Sequence, residues 1–303
     1  MFCRTKIRAN YNNSKQVEEV MTLLDCHKPL YAPGTENHIG FEKHIENLSF
    51  KFFPETKSVN CVNSLHKFKH GTNSNLFTRS EIEETINLIA EILKIPERQL
   101  YFYSVETAVN LTGLKHATAT YLFQPISYKG KLFYQAEPPR GTNKILERYC
   151  RLTDKNIKFY NQRGWLNYLD RCDIGHDQLR YEHVYYKAKP IQYLLNCSLL
   201  PAPLLYSKDI ISQFGAGMLK TYQTIDKVPH VDYSQFKPQE IALLAAGASR
   251  DINFWELMKL YPESKHKYRS EYLRLKKRAG ASDELAIEIE EKIKEQIELI
   301  IEG

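Results

Sequence analysis

The sequence predicts an α+β protein with a largely antiparallel sheet and flanking helices, followed by a helical C-terminal region. Three observations carry this prediction. Stretches of period-two alternation lie on either side of one strongly capped helix. Strands and helices follow each other without the regular βα alternation of a parallel sheet. Strand signals then fade after Lys189-Pro190, and helical periodicity takes over.

The best-marked helix opens at Thr78. Thr78 and Glu81 form an S/T-x-x-E capping box, and Phe77 and Ile82 are spaced as a hydrophobic staple. Ile82, Ile86, Ile89 and Leu93 share one face, and Pro96 ends the run. Strands are predicted around it, over about residues 59–68 and 100–111. Further strands over 118–124 and 131–136 flank a hairpin turn at 127–130. Pro138, Pro139 and Gly141 make a loop into a short helix over 144–152. Strands at 156–160 and 178–186 follow, joined by a helical or irregular link through Trp165 and Tyr168.

The boundary falls near residue 190. It separates a first domain, 1–190, from a helical region, 191–303. Helical patterns there cover about 205–222, 238–247, 252–261 and 264–278. The segments 239–246 and 252–260, around a turn at Gly247, give a faint helix-turn-helix signal. In the last helix, 283–302, Leu285, Ile289, Ile293 and Ile297 repeat every four residues. Such a stripe serves helix packing or a homodimer.

Charge is divided unevenly along the chain. The 303 residues carry a formal +6, yet eight carboxylates against Lys292 and Lys294 leave the segment after Gly280 at −6. The remainder is therefore +12, a charge that suits a polyanion held by counterion release, or plain solubility. The basic helix 264–278 holds Lys265, Lys267, Arg269, Arg274, Lys276, Lys277 and Arg278. Its acidic successor is placed to fold against it and compete with nucleic acid. Composition is otherwise globular, with 43% hydrophobic and 26% charged residues, which excludes global disorder. The longest apolar or small run, 241–248, is too short for a membrane span, and no signal-peptide pattern opens the chain. A soluble, intracellular protein is expected. Six cysteines lack CxxC spacing, so reduced thiols are expected rather than a zinc knuckle.

There is no Walker A loop, GxGxxG, HExxH, G-x-S-x-G or His-hydrophobe-His pair. Chemistry must come from scattered residues that a sheet brings together. On the predicted strand 100–111, Glu106 shares a face with Phe102, Ser104 and Ala108. On 178–186, Glu182 shares a face with Arg180, Val184 and Tyr186, while His183 points the other way. Mid-strand carboxylates among apolar neighbours are costly without a partner. Mg²⁺ or Mn²⁺ held by both would resolve that cost, as would pairing with Arg180, a lysine or water. Lys158 and Tyr160 share a face opposite Ile157 and Phe159. A phenol beside a base or metal can serve as a nucleophile, although stacking or packing is the ordinary use of a tyrosine. His66, on the strand pattern, shares a face with Val62 and Ser64 and is either a third metal ligand or a structural histidine.

Asn63-Ser64-Leu65-His66-Lys67-Phe68, Gly71-Thr72-Asn73 and Phe77-Thr78 resemble the N-S-x-H-K…G-x-N…F-T element of phage and plasmid replication initiators of the gene II/gene X type. Ile157-Lys158-Phe159-Tyr160-Asn161 is similar to their I-K-x-Y-x-K segment, and Leu179-Arg180-Tyr181-Glu182 to their L-R-F-E strand. Tyr103-Ser104-Val105-Glu106 lies where the family has a strand ending in a carboxylate. A tyrosine followed by R-x-E also occurs in a related class of rolling-circle plasmid initiators. The likeness spans about residues 50–195. It departs at Glu106, where the family has Asp, and at Gln162, where it has Lys, with Arg163 next to it.

The resemblance implies a rolling-circle catalytic domain that nicks and rejoins origin DNA. Tyr160 would attack a phosphodiester to leave a 5′-phosphotyrosine and a 3′-OH. Glu106, Glu182 and His66 would hold Mg²⁺ or Mn²⁺, and Arg180 and Lys158 would position phosphate oxygens. His70, Asn73, Arg163 and the basic helix would contact DNA, as origin duplex and displaced single strand. The sequence leaves open one or two catalytic tyrosines, with Tyr149 and Tyr168 as the candidates for a second. A host helicase or polymerase is the implied partner, and the cytoplasm of a bacterial host the implied location. A non-catalytic, sequence-specific DNA-binding regulator is the competing reading, and an assembly protein using the acidic tail is a third.

Overall fold

The computed structural model describes residues 2–137, 146–164, 176–227, 236–248, 254, 258–278 and 284–303. The chain divides into two compact units, 1–226 with 289–303, and 227–288.

Alternation explains the strand at the middle of the first unit. In Phe2–Asn10 (β1), Thr5, Ile7 and Ala9 are buried while Arg4, Lys6 and Arg8 are exposed. After helix α1 (Ser14–Leu23) come β2 (Lys28–Tyr31), β3 (His38–Ile45), β4 (Leu48–Phe53) and β5 (Ser58–Ser64). Helices α2 (Leu65–His70) and α3 (Arg79–Ile92) precede the long strand β6 (Leu100–Leu111). Helix α4 (Thr118–Leu122) leads to a hairpin of β7 (Pro125–Tyr128) and β8 (Lys131–Leu132). Lys129 and Gly130 both have positive φ there, the geometry of a tight two-residue turn. Short β9 (Tyr134–Gln135) is followed by β10 (Glu147–Arg151), β11 (Lys155–Asn161) and β12 (Leu179–Tyr185). Helices α5 (Ala188–Leu195) and α6 (Lys208–Thr224) complete this stretch.

The main sheet runs β2-β3-β4-β5-β1-β6-β12-β11-β10-β9, and its ladders are antiparallel. The α+β class expected from the sequence is the one adopted. One core joins Phe2, Ile7, Phe52 and Val105 of the sheet to Ile82, Ile86 and Ile89 of α3 and to Phe214 of α6. The capping box at the start of α3 is formed as expected, Thr78 accepting from the Glu81 N–H and Glu81 from the Thr78 N–H.

Several expectations are corrected. The strand over 59–68 stops at Ser64, because its hydroxyl caps α2 by accepting from the Lys67 N–H. Gly71, in the left-handed region, closes that helix. Residues 118–122 form a helix, burying Thr118, Tyr121 and Leu122 on one side. Residues 147–151 form a strand rather than a helix, because pairing with β11 overrides local preference. The boundary expected near 190 falls inside the first unit, since Ile191, Leu195, Ile211 and Phe214 belong to its core.

The second unit contains α7 (Pro238–Ala248) and α8 (Pro262–Arg278), with a small core of Phe236, Leu244 and Leu275. Helix α7 runs through Gly247, where the helix-turn-helix reading wanted a turn. Most of 249–257, like Trp165 and Tyr168, lies outside the described residues. The last helix is α9 (Glu284–Glu302). Ile300 joins the main core, with Ile297 and Ile301 packed against it. Gln223 of α6 donates to Glu290 at 2.9 Å. Among the described residues no helix is long and apolar enough to cross a membrane.

Gly215 of α6 lets α9 approach closely. A Cβ there would lie 2.5 Å from Ile297 Cδ1 and 2.9 Å from its Cγ1. Gly215→Ala should therefore destabilise by about 1–3 kcal/mol despite its better helix propensity. Thermal unfolding of Gly215→Ala, Ile297→Ala and the double variant should show a coupling above about 0.5 kcal/mol. Simple additivity would contradict this packing.

Candidate active site

Register, more than any motif, assembles the site. Across β11, β12 and β6, Lys158 stands opposite Glu182 and Ala108, and Tyr160 opposite Arg180 and Asn110. Glu106 stands opposite Val184. Because side chains alternate, Lys158, Tyr160, Arg180, Glu182, Glu106 and Asn110 all share one face. Glu147 of β10, opposite Tyr160, joins them. His183 lies on the other face, as expected, where Tyr181 and Tyr185 flank it.

Glu182 Oε1 is the meeting point. The Tyr160 hydroxyl donates to it at 2.6 Å, and Arg180 Nε donates to it at 2.6 Å. The rest of the guanidinium is also used. Nη1 donates to Asn110 Oδ1 at 2.6 Å and to the Asn73 carbonyl at 2.9 Å, and Nη2 donates to Cys3 Sγ. Arg180 and Glu182 are both almost fully buried.

Burial alone would push the Glu182 carboxyl up. Arg180 and Lys158, with the hydrogen bonds from Tyr160 and Arg180, outweigh it and hold the group below the usual carboxylate range. At Glu106 the balance is reversed: burial first, and the Glu182 charge second, outweigh the pull of Arg180, Lys158 and Arg4 and push it up to about 8. Burial raises Glu147 as well, against the pull of Lys158. Lys158 faces all three carboxylates, which raise its pKa over the opposing effect of burial. Burial also keeps the Tyr160 phenol well above 10, against the pull of Arg180.

These values bear on a metal. Glu106 makes no hydrogen bond or ion pair among the described residues, and its neighbour Glu182 is ionised. A divalent cation between the two would relieve both the burial and the repulsion, and Mg²⁺ commonly takes one or two carboxylates plus phosphate oxygens and water. The two carboxylates fit such an ion. The three-ligand set with His66 is not assembled: among the described residues no three His, Cys, Asp or Glu side chains stand close enough to hold one ion. The reason is local. His66 sits on α2 rather than on an extended strand, stacked on Phe77 with ring centroids 4.9 Å apart. Its Nε2 is buried without a hydrogen-bond partner among the described residues, and burial, helped by nearby positive charge including Arg180, pushes the ring down to about 2.

The other expected contacts are placed differently. His70 Nε2 lies 3.2 Å from Glu81. Asn73 is a hub of the loop before α3, its Oδ1 accepting from Gln162 at 2.8 Å and its carbonyl from Asn110 and Arg180. Gln162, where the resembling family has Lys, thus anchors this loop. Arg163 approaches Asp177 at 3.9 Å. On α8, Arg274 and Arg278 both pair with Glu240, and Arg278 lies over the Phe236 ring. Lys267, Arg269 and Lys277 are exposed and Lys265 half-buried. Lys276 is helical, and its side chain lies outside the described residues.

Phe102 does not share the face of Glu106. Lys6 pairs with Ser104 but Ile7 with Phe102, a bulge that turns Phe102 into the core beside Val105. The sequence alone does not single out Asn110, Glu147 and Cys3. Alternation from Glu106 would have reached Asn110; nothing local marks Cys3, whose strand reaches Arg180 only through the fold.

No protein-family model and no curated protein matches the chain. Among solved structures it is similar to the rolling circle replication initiator protein from Geobacillus stearothermophilus, with 10% identity and a TM-score of 0.44. The similarity covers 79% of this chain and 89% of that one.

The Glu106 shift carries a stability consequence. Its pKa is raised on folding, so the native state holds the proton and is penalised as pH climbs from the unfolded value toward about 8. Glu106→Gln should match the wild type near pH 4 and raise Tm by a few degrees at about pH 9. Calorimetry of the metal-free protein at both pH values checks this, and equal Tm at high pH would contradict it.

Proposed function

We propose that this chain is a replication initiator that nicks and rejoins DNA through Tyr160. The observation that carries the reading is the hydrogen bond from Tyr160 to Glu182 on a face shared with Arg180, Lys158 and Glu106. The ordered motifs around residues 63–78, 157–161 and 179–182 support it independently.

In this reading Glu182 accepts the phenolic proton as the Tyr160 oxygen attacks phosphorus. A phenol–phosphate ester forms, the P–O3′ bond breaks, and the leaving 3′ oxygen takes up a proton from solvent water. The phosphotyrosine retains the energy of the broken linkage, so a later attack by a 3′-OH rejoins the strand. Lys158 neutralises phosphate charge from beside Glu182. Arg180, held by four partners, keeps Glu182 oriented and ionised. Glu106 and Glu182 would hold Mg²⁺ or Mn²⁺, which supplies charge neutralisation at the scissile phosphate. The raised phenol pKa of the free protein is why such neutralisation is needed. Origin duplex and displaced strand are the proposed partners, with the exposed bases of α8 adding sequence-independent affinity.

The hydrogen-bonded network of half-buried Tyr160 with buried Glu182 and Arg180 also favours a second reading, a DNA-binding regulator in which the same bonds only stabilise the sheet. The two separate cleanly. With supercoiled plasmid carrying the chain's own replicon and Mg²⁺ or Mn²⁺, the wild type should nick and form a covalent adduct. Tyr160→Phe should lose both by at least about a hundredfold, and Glu182→Ala should abolish nicking while origin binding persists. Nicking by Tyr160→Phe at the wild-type rate would overturn the assignment; binding without scission in either metal would establish the regulator.

A further inference from the structure

The opposite face of the sheet carries a second concentration of charge. A cavity of about 870 Å³ opens between the β7–β8 hairpin, the start of β11 and helices α5 and α6. Five cations line it, Lys129, Lys131, Arg151, Lys155 and Lys220, against one carboxylate, Asp154. Among the described residues none of the five is ion-paired. Lys155 Nζ donates to Thr221 Oγ1 at 3.2 Å and lies 5.4 and 5.9 Å from the ring centroids of Tyr128 and Tyr185. Burial, reinforced by Lys129 against the pull of Asp154, pushes Lys155 down to about 8.

Gathering like charge around a concave space costs folding energy that an anion repays. The volume lies within the range of small-ligand sites and exceeds what a lone inorganic ion requires. Aromatic surface accompanies the charge: Tyr128 and Tyr185 form walls, and Tyr193 on the rim is 91% exposed. Cations interleaved with tyrosines suit a nucleotide unit, phosphate against the lysines and base against a ring. We infer that this cavity binds nucleotide phosphate, on the sheet face opposite Tyr160 and separate from the proposed nicking site. The same chemistry is offered by a single-stranded DNA segment and by a free nucleotide.

Lys131 and Lys220 are exposed, so neutralising them leaves the core untouched. The test uses full-length protein in the Tyr160→Phe background, which keeps the probe uncut. A fluorescein-labelled oligothymidylate is titrated by anisotropy over a range of salt, and dTTP is titrated separately by calorimetry. Lys131→Gln/Lys220→Gln should weaken at least one probe by about tenfold or more. For the oligonucleotide the log–log salt slope should fall by about 1.4, roughly 0.7 for each lost phosphate contact. Loss confined to the oligonucleotide identifies the strand as the source, and loss confined to dTTP identifies the free nucleotide. Unchanged affinity for both probes, in a double variant with wild-type Tm, would overturn the inference. Neither result depends on whether Tyr160 is a nucleophile.

Discussion

The ion pair between Arg180 and Glu182 is the constraint around which the first unit is organised. Burying two charges is expensive, and an isolated pair of this kind rarely adds net stability. Here three further bonds of the guanidinium reach three different parts of the chain. Asn110 brings in β6, Cys3 brings in β1, and the Asn73 carbonyl brings in the loop before α3. The pair therefore works chiefly as a geometric lock, fixing three elements relative to β12. Tyr160 inherits its position from that lock, because its hydroxyl shares Oε1 with Arg180.

The two faces of β12 divide the labour between charge and packing. Arg180 and Glu182 point one way, among Lys158, Glu106 and Glu147. Tyr181, His183 and Tyr185 point the other way, into an aromatic layer where Phe159 stacks on Tyr181 at 4.5 Å. That layer is apolar enough to hold His183 neutral, with burial depressing its pKa far below the usual imidazole value. It gives the polar face a rigid backing, so charged groups can be held close without water rearranging around them.

How far the sequence could be read depended on whether a signal was local. The α3 capping box and the strands holding Glu106, Tyr160 and Glu182 follow from patterns a few residues long, and the sharing of a face by Lys158 and Tyr160 follows from period two. What failed needed partners far away in the chain. Residues 147–151 are charged and short, and only pairing with β11 makes them a strand. Residues 118–122 hold threonine and tyrosine, which look strand-like until their burial on one side is known. The N-terminal part of the sheet, β1 to β4, was not marked as strand, and with it Cys3 was lost to the site. The bulge near Tyr103 broke strict alternation, and the short cap at Ser64 moved His66 from strand to helix.

The position of β1 has a kinetic consequence. It precedes both of its neighbours in the chain, lying in the sheet between β5 and β6, whose last residue is Leu111. At ordinary synthesis rates of about 5–20 residues per second, roughly 5–20 s pass between completion of β1 and of its second neighbour. Through that interval Phe2, Ile7 and Ala9 lack their final cover, and the pairing that buries them spans about a hundred residues. Such long-range closure is slow and leaves an apolar edge exposed. Until β6 is made, β1 is thus an apolar segment that only transient cover can shield from water.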